Sequence, residues 1–314
     1  MDRGRTYGEA WKAGARRLAE AGIEDAEAEA GAELLILHTL GIGKGELLRD
    51  LREPFPEAKR EAWETMLARR AAGEPAQYVT GEQYFYGRRF AVTPAVLIPR
   101  PETELLAEAV LEGAAKIAAA RKAKRGEGQA ETAPSVAPET ELCVLDVGTG
   151  SGALAVTLKL EQPGWQVTAS DLSPEALEVA AGNAAALGAN VRFVQGDLLA
   201  PFLAGGAHAG ERIDILVSNP PYIPSSDLPG LQAEVREHEP HLALDGGPDG
   251  LAPYRRMAEQ LSGLAELPAM VAWEVGIHQA GQASSLLRDT AEWDEIRIVR
   301  DYAGIDRHVL ALRF

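Results

Sequence analysis

The sequence predicts a doubly wound α/β sheet of seven strands, preceded by a small bundle of helices. Three observations carry this. After residue 141, apolar segments of strand length at 142–147, 165–170, 191–195, 213–218, 269–275, 295–299 and 308–313 alternate with amphipathic stretches near 153–160, 174–187, 250–265 and 278–289, the pattern of helices crossing over between strands. Residues 6 to about 75 read as helices. And 314 residues exceed what a single hydrophobic core usually organises, so the chain has room for two domains. The expected division is 1–82 for the helical domain, 83–98 for a β-hairpin connector and 99–314 for the α/β domain.

Within the helical part, Ala30, Leu34 and Leu37 fall on one face, with Asp25 as N-cap and Gly41 as the C-terminal stop. A further helix starts after Pro56, turns Trp63, Met66 and Leu67 inward and ends at Gly73. From Tyr84 to Ile98 aromatic and branched residues surround Gly87, as in a short hairpin. Pro101 then suits the first position of a helix running to about Ala120. Residues 121–140 hold Lys, Arg, Gly, Glu, Ala, Pro and Ser with almost no large apolar side chain, so they read as a flexible insertion. Its basic cluster, Arg121, Lys122, Lys124 and Arg125, complements a helix C-terminus.

Composition narrows the function classes. The formal net charge of −16 opposes sequence-independent attachment to a phosphate backbone, so stable nucleic-acid binding is not expected. No apolar run approaches a membrane span and the first residues lack the apolar core of a secretion signal, which places the protein in a cytoplasm, away from membranes. The single cysteine, Cys143, excludes an internal disulfide and reads as a small buried thiol in a strand. His238 and His241 lack further Cys or His at ligand spacing, so no metal is expected.

Chemistry enters where the first α/β strand, 142–147, runs into Gly148, Thr149, Gly150, Ser151 and Gly152 ahead of a helix. Glycines there let the backbone approach a ligand and turn into the helix N-terminus. Asp171 ends the next strand, where a carboxylate accepts the hydroxyl protons of a ribose. The pair indicates a nucleoside-containing cofactor held Rossmann-fashion, although Gly148, Gly150 and Ala153 equally satisfy the dinucleotide fingerprint. Asp146 is a further candidate near the cofactor. Asn219, Pro220, Pro221 and Tyr222 close the fourth strand. Two prolines remove two backbone donors, which leaves the Asn219 side-chain carbonyl and the Pro220 carbonyl to accept the two protons of an NH2 group, beside Tyr222 as an aromatic wall for a planar substrate.

Gly148–Gly152 with Asn219–Tyr222 resembles the amino-methyltransferases of adenine, cytosine and glutamine nitrogen. The run Leu97, Ile98, Pro99, Arg100, Pro101, Glu102, Thr103, Glu104 is more narrowly similar to the protein-glutamine methyltransferases of peptide chain release factors, the HemK/PrmC family. Gln77, Tyr78 and Gly81, Glu239, Pro240, Leu242, Ala243 and Leu244 leading to Gly246 and Gly247, and the stretch Asp301 to Asp306 extend the likeness over nearly the whole chain. The 121–140 insertion departs from it. The resemblance implies a seven-stranded methyltransferase sheet, S-adenosylmethionine as cofactor, and methylation of glutamine in the Gly-Gly-Gln tripeptide of release factors. It also implies that Gly148, Thr149, Gly150, Ser151, Gly152, Asp171, Asp197, Leu198 and Asn219 bind the cofactor, that Asn219 to Tyr222 hold the glutamine, and that Asn219 and Pro220 carry the catalysis. Two alternatives stay open: an adenine-N6 methyltransferase of DNA or RNA, disfavoured by the acidic balance, and a non-catalytic cofactor-binding interaction protein, opposed by the intact Asn219–Tyr222 run.

Overall fold

The computed structural model describes residues 5–126, with side chains as far as Ala123, and 141–314. Two compact units make up the chain, Met1–Glu82 with Leu231–His238, and Gln83–Gly230 with Glu239–Phe314. The sequence reading assigns 231–238 to the α/β domain, whereas this stretch groups with the helices of the first unit.

In the first unit, α1 (Tyr7–Glu20) opens on a capping box in which Glu9 N donates to Thr6 Oγ1 at 3.2 Å and Thr6 N donates to Glu9 Oε2 at 2.9 Å. Next, α2 (Asp25–Leu40) ends at Gly41, which takes the expected left-handed conformation, φ 69°. Asp25 is the first helical residue and not the cap, a place taken by Glu24 without a side-chain bond. The buried face is also not the expected one. Ala28, Gly31, Ala32, Leu35 and Ile36 face inward, Leu34 and Leu37 are half-buried and Ala30 is exposed. Because α2 packs on both α1 and α4, and is apolar on most sides, its spacing does not single out one face.

The remaining helices here are α3 (Lys44–Arg49), α4 (Arg60–Ala71) and α5 (Ala76–Thr80). Trp63 and Leu67 of α4 are buried and Met66 half-buried, as its spacing predicts. Gly14 of α1 admits the Trp63 ring, since a Cβ there would lie 2.7 Å from Cζ2. Arg70, only 3% exposed, pairs with Glu27 of α2 and, at 2.7 Å, with Glu234 of the short helix Ala233–His238.

The second unit begins at Gln83, the second residue of β1 (Glu82–Phe85), which forms a hairpin with β2 (Arg88–Ala91), turning at Tyr86 and Gly87 with positive φ at both. Then α6 (Pro101–Gly126) starts at the expected proline but continues about two turns past Ala120. Arg121, the first residue of the extra length, bonds to the buried carboxylate of Asp214 at 3.3 Å, just past the buried Ile117. Residues 127–140 of the expected insertion lie outside the described residues.

There follow β3 (Cys143–Val147), α7 (Ala153–Glu161), β4 (Gln166–Asp171), α8 (Pro174–Leu187), β5 (Val191–Gln195), β6 (Ile215–Ser218), α9 (Ala233–His238, described above), α10 (Ala252–Leu261), β7 (Met270–Glu274), α11 (Ala280–Thr290), β8 (Glu295–Arg300) and β9 (Asp306–Leu312). The sheet order is β5-β4-β3-β6-β7-β9-β8, parallel from β5 through β7, with β9 antiparallel to both its neighbours. All seven expected strands are present, and the direction of winding reverses between β3 and β6.

Strand alternation builds two cores. Val144, Ile215, Val217, Met270, Ala272, Leu310 and Leu312 meet α6 and α7 on one face, while Leu145, Val147, Leu216, Val271, Trp273, Val309 and Ala311 meet α10 and α11 on the other. Each fully buried aliphatic or aromatic side chain contributes about 1.5–3 kcal/mol. Cys143, at the start of β3, is half-buried and not sealed: it pairs with Gln166 of β4, but pairing with β6 begins only at Val144. No helix among the described residues is long and apolar enough to cross a membrane.

Candidate active site

Sheet register brings the chemistry together. Val147 pairs with Ser170 on one side and with Ser218 on the other, and Ser218 pairs with Trp273. One residue further along, at the carboxyl edge, stand Asp171, Gly148, Asn219 and Glu274 on four adjacent strands. Loops leaving those ends surround a cavity of about 600 Å3, lined by Gly148, Thr149, Gly150, Ser151, Asp146, Asp171, Asp197, Leu198, Asn219 and Pro221, together with Arg100, Thr103 and Leu242.

Gly148 and Gly150 need φ of 72° and 55°, and a Cβ at either would meet no neighbour within 4 Å, so backbone shape demands the glycines and the space above them is open. Gly148 N and Thr149 N both donate to the Ser170 carbonyl, at 2.8 and 3.0 Å. Asp171 Oδ2 accepts from Gly150 N at 2.9 Å and Oδ1 from Ser173 N at 3.0 Å. Burial raises its pKa against these amide bonds. Asn183, buried on α8, anchors the loop from behind: its Nδ2 donates to the Ser151 and Ala91 carbonyls, both 2.9 Å, and its Oδ1 accepts from Ala91 N at 2.7 Å.

Gly152 does not line the cavity. A Cβ there would stand 3.0 Å from Ala180 Cβ, so this glycine lets α7 approach α8. Asp146 is buried beneath the loop and accepts from Thr149 Oγ1 at 2.7 Å. Burial pushes its carboxyl up to about 7, the Thr149 bond pulls it down and nearby Asp171 pushes it further up. Asp197 pairs with Arg256 at 2.6 Å, and Leu198 takes a positive φ of 52° at the cavity edge.

On the substrate side, Asn219 Nδ2 donates to Thr103 Oγ1 at 3.1 Å, and Thr103 Oγ1 donates to Glu274 Oε2 at 2.7 Å. Pro220 is buried, and its carbonyl accepts no hydrogen bond from the described residues. Tyr222 does not line the cavity with Asn219. Its ring packs on the α10–α11 core, burial lifts the phenol to about 12, and its carbonyl accepts from Gln279 Nε2 at 2.9 Å. Gly246 and Gly250 seat this turn, since a Cβ on Gly246 would meet Tyr222 Cα at 2.8 Å and one on Gly250 would collide with the Tyr222 carbonyl oxygen. Arg100 pairs with Glu239, whose other oxygen accepts from Ile98 N at 3.3 Å, fixing the strap ahead of α6. No group of three or more metal-ligating side chains occurs among the described residues.

Curated relatives decide the family. The chain is 40% identical over 308 residues to the release factor glutamine methyltransferase of Bacillus subtilis (strain 168), covering 98% of each chain, and 42% identical over 301 residues to that of Moorella thermoacetica, covering 95% of each. It belongs to the release factor glutamine methyltransferases. Family models agree by segment, with the PrmC N-terminal domain over residues 9–81 and the methyltransferase small domain over 133–239. In three dimensions the hMettl16 catalytic domain, crystallised with a MAT2A 3'UTR hairpin, covers 83% of each chain at 13% identity and a TM-score of 0.51, a likeness of fold alone. Within this glutamine methyltransferase the residues that sequence reasoning missed are Thr103, Asn183 and Glu274. Thr103 stands in a run singled out for its resemblance, but a bond spanning 171 positions to Glu274 leaves no local spacing to find.

Proposed function

We propose that this methyltransferase transfers the methyl group of S-adenosylmethionine to the side-chain nitrogen of the glutamine in the Gly-Gly-Gln tripeptide of peptide chain release factors. The observation that carries the reading is the strand-end row in which Asn219 stands beside Gly148, with Asp171 next along, around one cavity. The donor set fits the cofactor: an open positive-φ glycine turn, the Asp171 carboxylate for a ribose diol, the Asp197–Leu198 edge for the adenine, and buried Asp146 for the cationic amino-acid end. Bound there, the cofactor supplies an electrophilic methyl on a sulfonium. Asn219 Oδ1 and the Pro220 carbonyl accept the two N–H bonds of the glutamine amide and so turn the nitrogen's developing lone pair toward that methyl. As the N–C bond forms the S–CH3 bond breaks and its electron pair stays on sulfur, leaving neutral S-adenosyl-L-homocysteine. Alignment and electrostatics carry the step, because the methylated, protonated amide is acidic enough to lose its proton to water.

A net charge of −16 supports a protein substrate over a nucleic acid. Translation factors work in the cytoplasm, and the reaction is placed there. Incubation with methyl-labelled cofactor, an intact release factor and, separately, duplex DNA tests the reading. Label on the release-factor glutamine and none on DNA is expected, whereas label confined to adenine would replace glutamine by a base as the substrate.

A further inference from the structure

We infer that Thr103 and Glu274 are positioning residues that set which end of the Asn219 amide meets the substrate; the inference rests on the glutamine reading above. An asparagine side chain has a donor end and an acceptor end, and rotation by half a turn exchanges them. For the reaction only Oδ1 facing the cavity is productive, because a substrate NH2 group needs an acceptor. Presenting Nδ2 instead would set donor against donor.

The structure assigns the choice to a directed chain of two hydrogen bonds. Glu274 and Asn219 follow paired residues of adjacent strands, Trp273 and Ser218. By strand alternation both fall on the face covered by α6, on whose first turn Thr103 sits. Thr103 Oγ1 stands 2.7 Å from Glu274 Oε2 and 3.1 Å from Asn219 Nδ2. A carboxylate only accepts, so the single hydroxyl proton of Thr103 goes to Glu274. With that proton committed, Thr103 offers Asn219 lone pairs alone, and Nδ2 must turn to it. Oδ1 is then left for the cavity that Asn219 lines. The chain is sheltered, as Thr103 is 7% and Glu274 1% exposed, so water does not compete to satisfy either end in the reversed orientation. Beyond the chain, Glu274 lies 3.7 Å from Nε2 of the fully buried His308, its register partner on β9.

The test compares Thr103→Val, Thr103→Ser and Glu274→Gln with the wild-type chain, using steady-state methyl transfer to an intact release factor, calorimetric titration with S-adenosylmethionine and thermal melting. Thr103→Val keeps shape and removes the hydroxyl. Its kcat should fall by about 10²-fold while KM for the release factor and cofactor Kd stay within about threefold. Thr103→Ser should restore kcat to within about threefold of wild type, since it returns the hydroxyl that a packing role would not need. Glu274→Gln, able to donate as well as accept, releases the direction of the chain and should lower kcat with KM unchanged. Wild-type transfer combined with an undiminished kcat in Thr103→Val, or equal losses in the Val and Ser variants, overturns the inference and leaves the glutamine reading standing. Should Thr103→Val fail to fold, a folded Glu274→Gln chain with full kcat overturns it equally. A wild-type chain inactive on the release factor overturns the glutamine reading itself, and the relay with it.

Discussion

Asp146 shows how one buried side chain couples folding, binding and pH. Because burial holds its carboxyl at about 7 in the folded chain, the folded state keeps a proton that the unfolded state has already released above the ordinary carboxylate range. Stability from this group is therefore greatest at low pH and declines as pH rises toward about 7. A cationic ligand beside it reverses the preference and favours the ionised form. Affinity for S-adenosylmethionine should accordingly strengthen with pH up to about 7 and level off above it, with proton release on binding. Titration calorimetry in buffers of different ionisation enthalpy measures that proton, and Asp146→Asn should abolish its release. A pH-independent affinity through this window would remove Asp146 from the cofactor's cationic end. Asp171→Ala carries two losses, the acceptor proposed for the ribose and the partner of Gly150 N. Cofactor binding should weaken by about 1.5–3 kcal/mol or more with the fold kept, and unchanged calorimetric affinity would exclude Asp171.

At the scale of elements, local signals were legible and long-range ones were not. The strand–glycine–helix unit at 143–161 and the proline start of α6 follow from spacing and backbone preference that any neighbouring residues would leave intact. The buried face of α2 did not, because burial there is decided by α1 and α4 on separate sides of a helix rich in alanine and leucine. Nor did the grouping of Ala233–His238 with the first unit, which depends on Arg70 facing Glu234 across 164 positions of sequence. That buried arginine gives an element-scale prediction. Arg70→Ala leaves Glu27 and Glu234 facing each other uncompensated and should destabilise the first unit by about 1.5–3 kcal/mol, less than a fully buried stranded charge would cost because both carboxylates keep some contact with water, read as a drop in its melting transition. Glu27 already has its pKa raised, by burial first and Glu234 second, so removing the arginine raises it further and the loss should deepen as pH climbs through the carboxylate range. A variant melting like wild type at neutral pH would mean that packing alone holds this unit. Gly152→Val should part α7 from α8, given a Cβ contact of 3.0 Å with Ala180, and weaken cofactor binding by displacing the glycine turn that leads into α7.

For the whole molecule, the sheet does most of the assembly. A glycine turn, a carboxylate and an Asn-Pro-Pro-Tyr run far apart in sequence become neighbours because parallel strands in register end at one level. Their residue types were readable in the sequence, whereas the turning of Tyr222 into the core and of Gly152 toward Ala180 needed the helices packed behind them. If the strand-end Asn219 aligns a glutamine amide for a methyl held by its neighbours, Asn219→Ala should separate binding from chemistry. Single-turnover transfer to an intact release factor at saturation is paired with cofactor calorimetry, with circular dichroism confirming the fold. Turnover should fall by about 10² to 10³ with cofactor affinity moved only a few-fold. Turnover above about a third of wild type, far outside that range, would contradict this alignment and make Asn219 a residue of the turn alone.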